Sequence, residues 1–152
     1  MADQGVRVLL LGSGELSREL VLAFQRLGAA VIAVDRYADA PAHGAADEAL
    51  VVKMTDPDEL TAVIGRVQPT YVVVDTNAVA IDALTAAAES GSTQVVPSVR
   101  ATRLSLDREG MRRLAADELG LPTAPFWFAG SVAELTAIAG HAGFPLVVKP
   151  VI

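Results

Sequence analysis

The sequence predicts an α/β fold, a doubly wound parallel sheet followed by the start of a second domain. Three observations carry this expectation. Short apolar runs alternate with segments of helical spacing along the first hundred residues, the pattern of a parallel sheet with helix crossovers. The first run, Val6–Leu11, is nearly continuous in its hydrophobicity, as a central strand covered on both faces requires. That run leads straight into Gly12-Ser13-Gly14, a glycine-rich turn opening a helix, which aims backbone N–H groups at an anionic ligand.

The elements follow in order. After the turn, Leu16, Leu20, Phe24 and Leu27 recur at helical spacing, so one stripe can face the sheet, and Gly28 stops the helix. Val31–Val34 is the second strand, with Asp35 at its carboxyl end, and Ala49–Val52 the third. Asp56 caps a helix that has Pro57 in its first position, where the missing N–H does no harm. Tyr71–Val74 is the fourth strand, and an alanine-rich helix around Ile81–Glu89 returns to a fifth at Gln94–Val96. From Arg100 the pattern changes. Asp107 can cap a helix running through Met111, Leu114 and Leu119, closed by Gly120 and fenced by Pro122. Phe126–Phe128 reads as a strand, Ser131-Val132-Ala133-Glu134 has capping-box spacing for a helix ending near Gly143, and Leu146–Lys149 reads as a buried strand. We therefore expect domains at residues 1–106 and 107–152, the latter a strand–helix–strand unit that cannot bury its own faces.

Composition narrows the function classes. A chain of 152 residues that is 52% hydrophobic supports a well-buried core and is no disordered tail. The net charge of −6 argues against a nucleic-acid partner, whose phosphates would be repelled. With no cysteine there are no disulfides or thiolate metal sites, which fits a cytoplasmic protein. Met1–Arg7 is too polar and short for a secretory leader, and no apolar run approaches the roughly 20 residues of a membrane helix.

Three stretches together go beyond fold class: L-L-G-S-G-E-L from Leu10, V-I-A-V-D-R-Y-A-D-A-P-A from Val31, and R-E-G-M-R-R-L-A-A-D-E-L-G-L-P-T from Arg108. On these, the chain from about Val6 to Val151 resembles the N-terminal part of the formate-dependent phosphoribosylglycinamide formyltransferases, ATP-grasp enzymes of purine synthesis. The resemblance implies a Rossmann-like pre-ATP-grasp domain and the truncated beginning of an ATP-grasp domain. It implies a reaction joining formate to the amine of glycinamide ribonucleotide through formyl phosphate, with ATP and magnesium as the cofactors of the complete enzyme. It also implies a homodimer.

The resemblance assigns residues as well. Glu15 and Leu16 would contact the ribonucleotide, although a carboxylate in a first helical turn also favours the helix dipole by about 0.3–1 kcal/mol. Asp75 would be a second substrate contact. Here the sequence departs from the family, which usually reads Glu-Ile-Glu-Ala where this chain has Asp75-Thr76-Asn77-Ala78. One methylene and one charge are lost, which puts substrate affinity or identity in question. Arg108 and Lys149 match positions that reach ATP, and a lone lysine in an apolar strand is costly without such a partner; otherwise Arg108 reads as a solvent-facing first-turn arginine, and Lys149, near the chain end, as a lysine frayed into water. Gly12 and Gly14 form the phosphate turn, or serve only the tight strand-to-helix connection. Asp35 lies roughly 20 residues past the glycines, where a nicotinamide-dependent oxidoreductase places its ribose-binding acid. Embedded in D-R-Y-A-D-A-P-A, it reads instead as a loop-ordering carboxylate. His43 and His141 have no spaced partner and read as neither metal ligands nor bases.

The family continues after Lys-Pro-Val with a Ser/Gly/Lys-rich loop over the ATP phosphates and, later, acidic magnesium ligands. Neither is among these 152 residues. Phosphoryl transfer depends on positioned cations, so the chain alone is expected to bind without turnover. It is a piece of a longer enzyme or a naturally short relative. A nicotinamide-dependent oxidoreductase domain and a non-catalytic interaction or regulatory module are the alternatives.

Overall fold

The computed structural model describes residues 5–151 and divides into two compact units, Met1–Arg103 and Leu104–Ile152. The first unit is a five-stranded, all-parallel sheet. Its strands are β1 (Arg7–Leu11), β2 (Ala30–Asp35), β3 (Glu48–Val51), β4 (Tyr71–Val74) and β5 (Gln94–Val96), in the spatial order β3-β2-β1-β4-β5. Strands are laid outward in one direction from β1 and then in the other, so right-handed crossovers place helices on both faces. Helix α1 (Glu15–Arg26) crosses from β1 to β2, while α2 (Pro57–Val67) and α3 (Ile81–Glu89) make the later crossings and pack on each other.

Register explains the hydrophobic pattern. Val8 is level with Val31 and Tyr71, and Leu10 with Ala33 and Val73; this face is covered by Leu20, Val21 and Phe24 of α1. Leu9, Leu11, Ile32, Val34 and Val72 form the opposite face and are equally buried. Buried Leu60, Ile64 and Leu84 of α2 and α3 supply apolar cover for that side. With both faces dry, alternation disappears from the central strands and the sequence shows continuous apolar runs.

Helix α1 differs from its expected stripe. Leu16 and Leu27 are 66% and 84% exposed, whereas Ser17 and Val21 are buried. The inward face is therefore rotated by about one position, with a serine occupying a core-facing place. The other helix signals correspond to caps. Asp56 accepts hydrogen bonds from the N–H groups of Asp58 and Glu59 at 3.0 and 3.2 Å. Gly28 takes φ +84° after α1, a left-handed conformation natural to glycine. Strand β3 begins one residue earlier than the expected Ala49.

Beyond β5 a helix α4 (Val99–Leu106), absent from the sequence reading, spans the point where the two units divide. The second unit contains α5 (Arg108–Arg113), a π-helical turn at Leu114–Glu118 and α6 (Val132–Ala142). Its caps are those expected: Asp107 accepts from Gly110 N–H at 2.8 Å, and Ser131 Oγ accepts from Glu134 N–H at 3.2 Å. Its expected strands are not. Phe126–Phe128 and Leu146–Lys149 form no ladder, and Val147 and Val148 are exposed. A strand exists only through hydrogen bonds to a neighbour, and no other described segment of this unit supplies one. Among the described residues no helix is long and apolar enough to cross a membrane.

Candidate functional site

In a sheet of this order, ligands bind beyond the carboxyl ends of the strands where the winding reverses. That point lies between β1 and β4, and the turn 12–14, Asp35, Ser17 and Asp75 all gather around it.

The turn is held from both sides. Gly12 N–H donates to Val34 O at 2.9 Å, and Asp75 N–H donates to Leu11 O at 2.8 Å, extending the ladders past the strand ends. Gly12 has φ +102°, and a Cβ built on it would come to 2.5 Å from the Asp75 carbonyl oxygen. Glycine is thus required twice over, by backbone conformation and by the closeness of the β4 end. Gly14 is different. It is exposed, has an extended φ of −73°, and a Cβ there would meet nothing within 4 Å. Its glycine leaves the mouth of α1 uncovered.

Asp35 has a definite task. Its Oδ2 accepts from Ser13 N–H at 2.8 Å and its Oδ1 from Arg36 N–H at 2.7 Å. The carboxylate therefore orders the turn, and it occupies an amide that a dinucleotide pyrophosphate would otherwise use. With the Gly12 and Ser13 amides engaged internally, those available to a ligand are the next ones, of Gly14, Glu15 and Leu16. No side chain caps α1, and among the described residues none of these three amides meets an acceptor. Orphan first-turn amides and the positive end of the helix dipole favour a negative group there. Glu15 and Leu16 are both exposed at this mouth.

Asp75, at the end of β4, is half-buried, and its Oδ2 accepts from Ser17 Oγ at 2.6 Å. Ser17 is 1% exposed. The structure therefore ties the 12–17 turn to Asp75 at the carboxyl end of the sheet, while Asn77 is exposed. Thr76 Oγ accepts from Ala78 N–H at 3.1 Å, fixing the loop that follows. Sequence reading missed Ser17. The signal was available, because Ser17 lies three and four residues before Leu20 and Val21, on the inward face.

The two remaining candidates belong to the second unit. Arg108 opens α5 and is exposed, as is Lys149. Arg108 N–H donates to Val151 O at 3.3 Å, which brings the segment carrying Lys149 beside the start of α5. Lys149 does not lie in a buried strand as expected, so its charge carries no burial cost. Among the described residues no cluster of three metal-ligating side chains exists, and His141 packs edge-on to Trp127 at 6.3 Å.

Comparison with known proteins places the chain in a family. The ribonucleotide synthetase preATP-grasp domain family matches residues 5–105. The chain is 52% identical over 151 residues to a formate-dependent phosphoribosylglycinamide formyltransferase of Burkholderia mallei, covering 99% of this chain and 37% of that protein. It thus spans little more than a third of the length of such curated relatives, matching their N-terminal part. A solved glycinamide-RNase-transformylase T from Mycobacterium tuberculosis superposes with a TM-score of 0.79 at 63% identity, over 95% of this chain and 41% of that one. An N5-carboxyaminoimidazole synthetase from Staphylococcus aureus, solved with ADP, shares the fold with a TM-score of 0.71 at 19% identity, over 97% of this chain and 39% of that one. The chain belongs to the ribonucleotide synthetase preATP-grasp domain family.

Proposed function

We propose that the chain is the N-terminal part of a formate-dependent phosphoribosylglycinamide formyltransferase and supplies part of its binding site for glycinamide ribonucleotide. The observation that carries this reading is the link between the uncapped start of α1 and Asp75 at the end of β4. Open amides in the first turn of α1, where Glu15 also stands, are tied through Ser17 to the Asp75 carboxylate, in a sequence half identical to enzymes of that name. A ribonucleotide bearing a free amine suits such an arrangement. Carboxylates accept from the amine and from ribose hydroxyls, and helix amides accommodate negative charge. A pyrophosphate pressed against Glu15 would be repelled, and Asp35 is already committed to the turn. Arg108 and Lys149 face ATP in this reading, with magnesium accompanying the nucleotide in the complete enzyme, which works in the cytoplasm as a homodimer. Residues 1–106 act as the pre-ATP-grasp domain and 107–152 begin the ATP-grasp domain. The 152 residues bind without turning over.

The test is an NMR titration of the chain with glycinamide ribonucleotide, ATP and NAD in parallel. The ribonucleotide is expected to shift the amides of Gly12–Leu16 and Asp75, weakly because much of the pocket lies outside these residues. Glu15→Ala and Asp75→Ala should each weaken the effect. Shifts at those amides from NAD and none from the ribonucleotide would reinstate the oxidoreductase reading. Silence with all three would favour an interaction module.

A further inference from the structure

We propose that Ser17 is a positioning residue, whose hydroxyl holds the Asp75 carboxylate by one oxygen so that the other is left open to a ligand. This rests on the reading of Asp75 as a ribonucleotide contact and goes beyond it.

Three observations converge. Ser17 is 1% exposed at a core-facing place of α1, where an apolar side chain would add burial at no polar cost, so the hydroxyl needs a reason to be there. Its bond is also the unusual one for its setting. Hydroxyls within helices normally turn back on the carbonyl four residues earlier, as Thr85 does to Ile81 O and Thr136 to Val132 O, both at 2.9 Å. The corresponding carbonyl for Ser17 is that of Ser13, which already accepts from Ala42 N–H at 3.0 Å. Ser17 Oγ reaches instead to Asp75 Oδ2, 58 residues away in sequence, at 2.6 Å. Finally, the bond leaves an asymmetric carboxylate. Oδ2 is tied to α1, while Oδ1 has no partner among the described residues. An aspartate has a short side chain with few rotamers, so one hydroxyl at its tip suffices to select among them. Holding a reacting or binding group in place lowers the entropy lost when a ligand arrives.

The test has a ligand-free arm and a ligand arm on the same chain. Three-bond couplings to the Asp75 carboxyl carbon report its χ1 rotamer. The chain as it stands is expected to show one rotamer, and Ser17→Ala an average of several. Unchanged couplings would overturn the proposal whatever the ligand does. In the second arm, Ser17→Ala is expected to weaken glycinamide ribonucleotide binding roughly tenfold, the scale of losing a hydrogen bond that orders a charged group. In an Asp75→Ala background the same change should move affinity less than about twofold, since the hydroxyl then has nothing to orient. Equal losses in both backgrounds would mean that Ser17 acts through packing alone and would overturn the proposal. Absence of ribonucleotide binding by the unaltered chain would instead remove the functional reading and leave the rotamer result to stand as structure only. Asp75→Asn, which keeps an acceptor for Ser17, is the second variant should Ser17→Ala fail to fold. It should retain the single rotamer while losing affinity; an averaged rotamer or undiminished affinity would count against the proposal.

Discussion

At the scale of single residues, two glycines in one turn do opposite things. Gly12 needs a positive φ and leaves no room for a methyl beside the Asp75 carbonyl; Gly14 needs neither. Gly12→Ala should therefore destabilise the chain by roughly 2–4 kcal/mol, combining left-handed strain with overpacking. Gly14→Ala should cost under about 1 kcal/mol, the difference between glycine and alanine at a helix N-cap. Urea denaturation of the two variants distinguishes them, and similar midpoints would contradict the geometry. Both glycines were legible as a turn. Their difference was not, because it depends on β4, which arrives some 60 residues later in the sequence.

Among the elements, Asp47 ties three together. Its N–H donates to Val31 O, while its carboxylate accepts from Val31 N–H at 2.8 Å and from Gln25 Nε2 of α1 at 3.1 Å. The Val31 amide above all, then Gln25, holds the carboxyl below the usual carboxylate range. A folded-state pKa lower than the unfolded one adds stability above the ordinary carboxylate range, and this is lost as pH falls through that range to the lowered value. Acid unfolding followed by circular dichroism should thus be steeper in the unaltered chain than in Asp47→Asn. Coincident acid profiles would show that the carboxylate carries no such linkage. The effect is modest, since Asp47 is exposed and water competes for its oxygens. The same paragraph of sequence, residues 45–47, offered no strand or helix signal; its role appears only when α1 and β2 come together.

Over the whole molecule, the two units differ in what completes them. The sheet of the first unit pairs every central strand on both sides, whereas Phe126–Phe128 and Leu146–Lys149 in the second pair with nothing described. Hydrogen exchange should show amides in 122–130 and 144–151 exchanging well before those of β1, since local opening follows packing and ladder hydrogen bonds. Comparable protection in the two regions would mean that another surface, such as a second copy of the chain, covers these segments.

The sequence by itself determined the elements whose cause is local. Asp56 before Pro57, Asp107 before α5, Ser131 before α6 and Gly28 after α1 all act through neighbours within a few residues, and each is legible in the sequence. The central strands were equally legible, because burial on both faces writes itself as a continuous apolar run. Tertiary structure alone decided the rest. Which face of α1 turns inward depends on the sheet it meets, so Leu16 is outside and Ser17 inside. Whether Leu146–Lys149 is a strand depends on a partner that its own residues cannot specify. The Ser17–Asp75 bond joins the start of α1 to the end of β4, far apart in sequence, and only the order β2-β1-β4 places them side by side. Periodicity and caps are short-range and can be read along the chain; the site is a product of topology, which brings distant residues to the carboxyl end of the sheet.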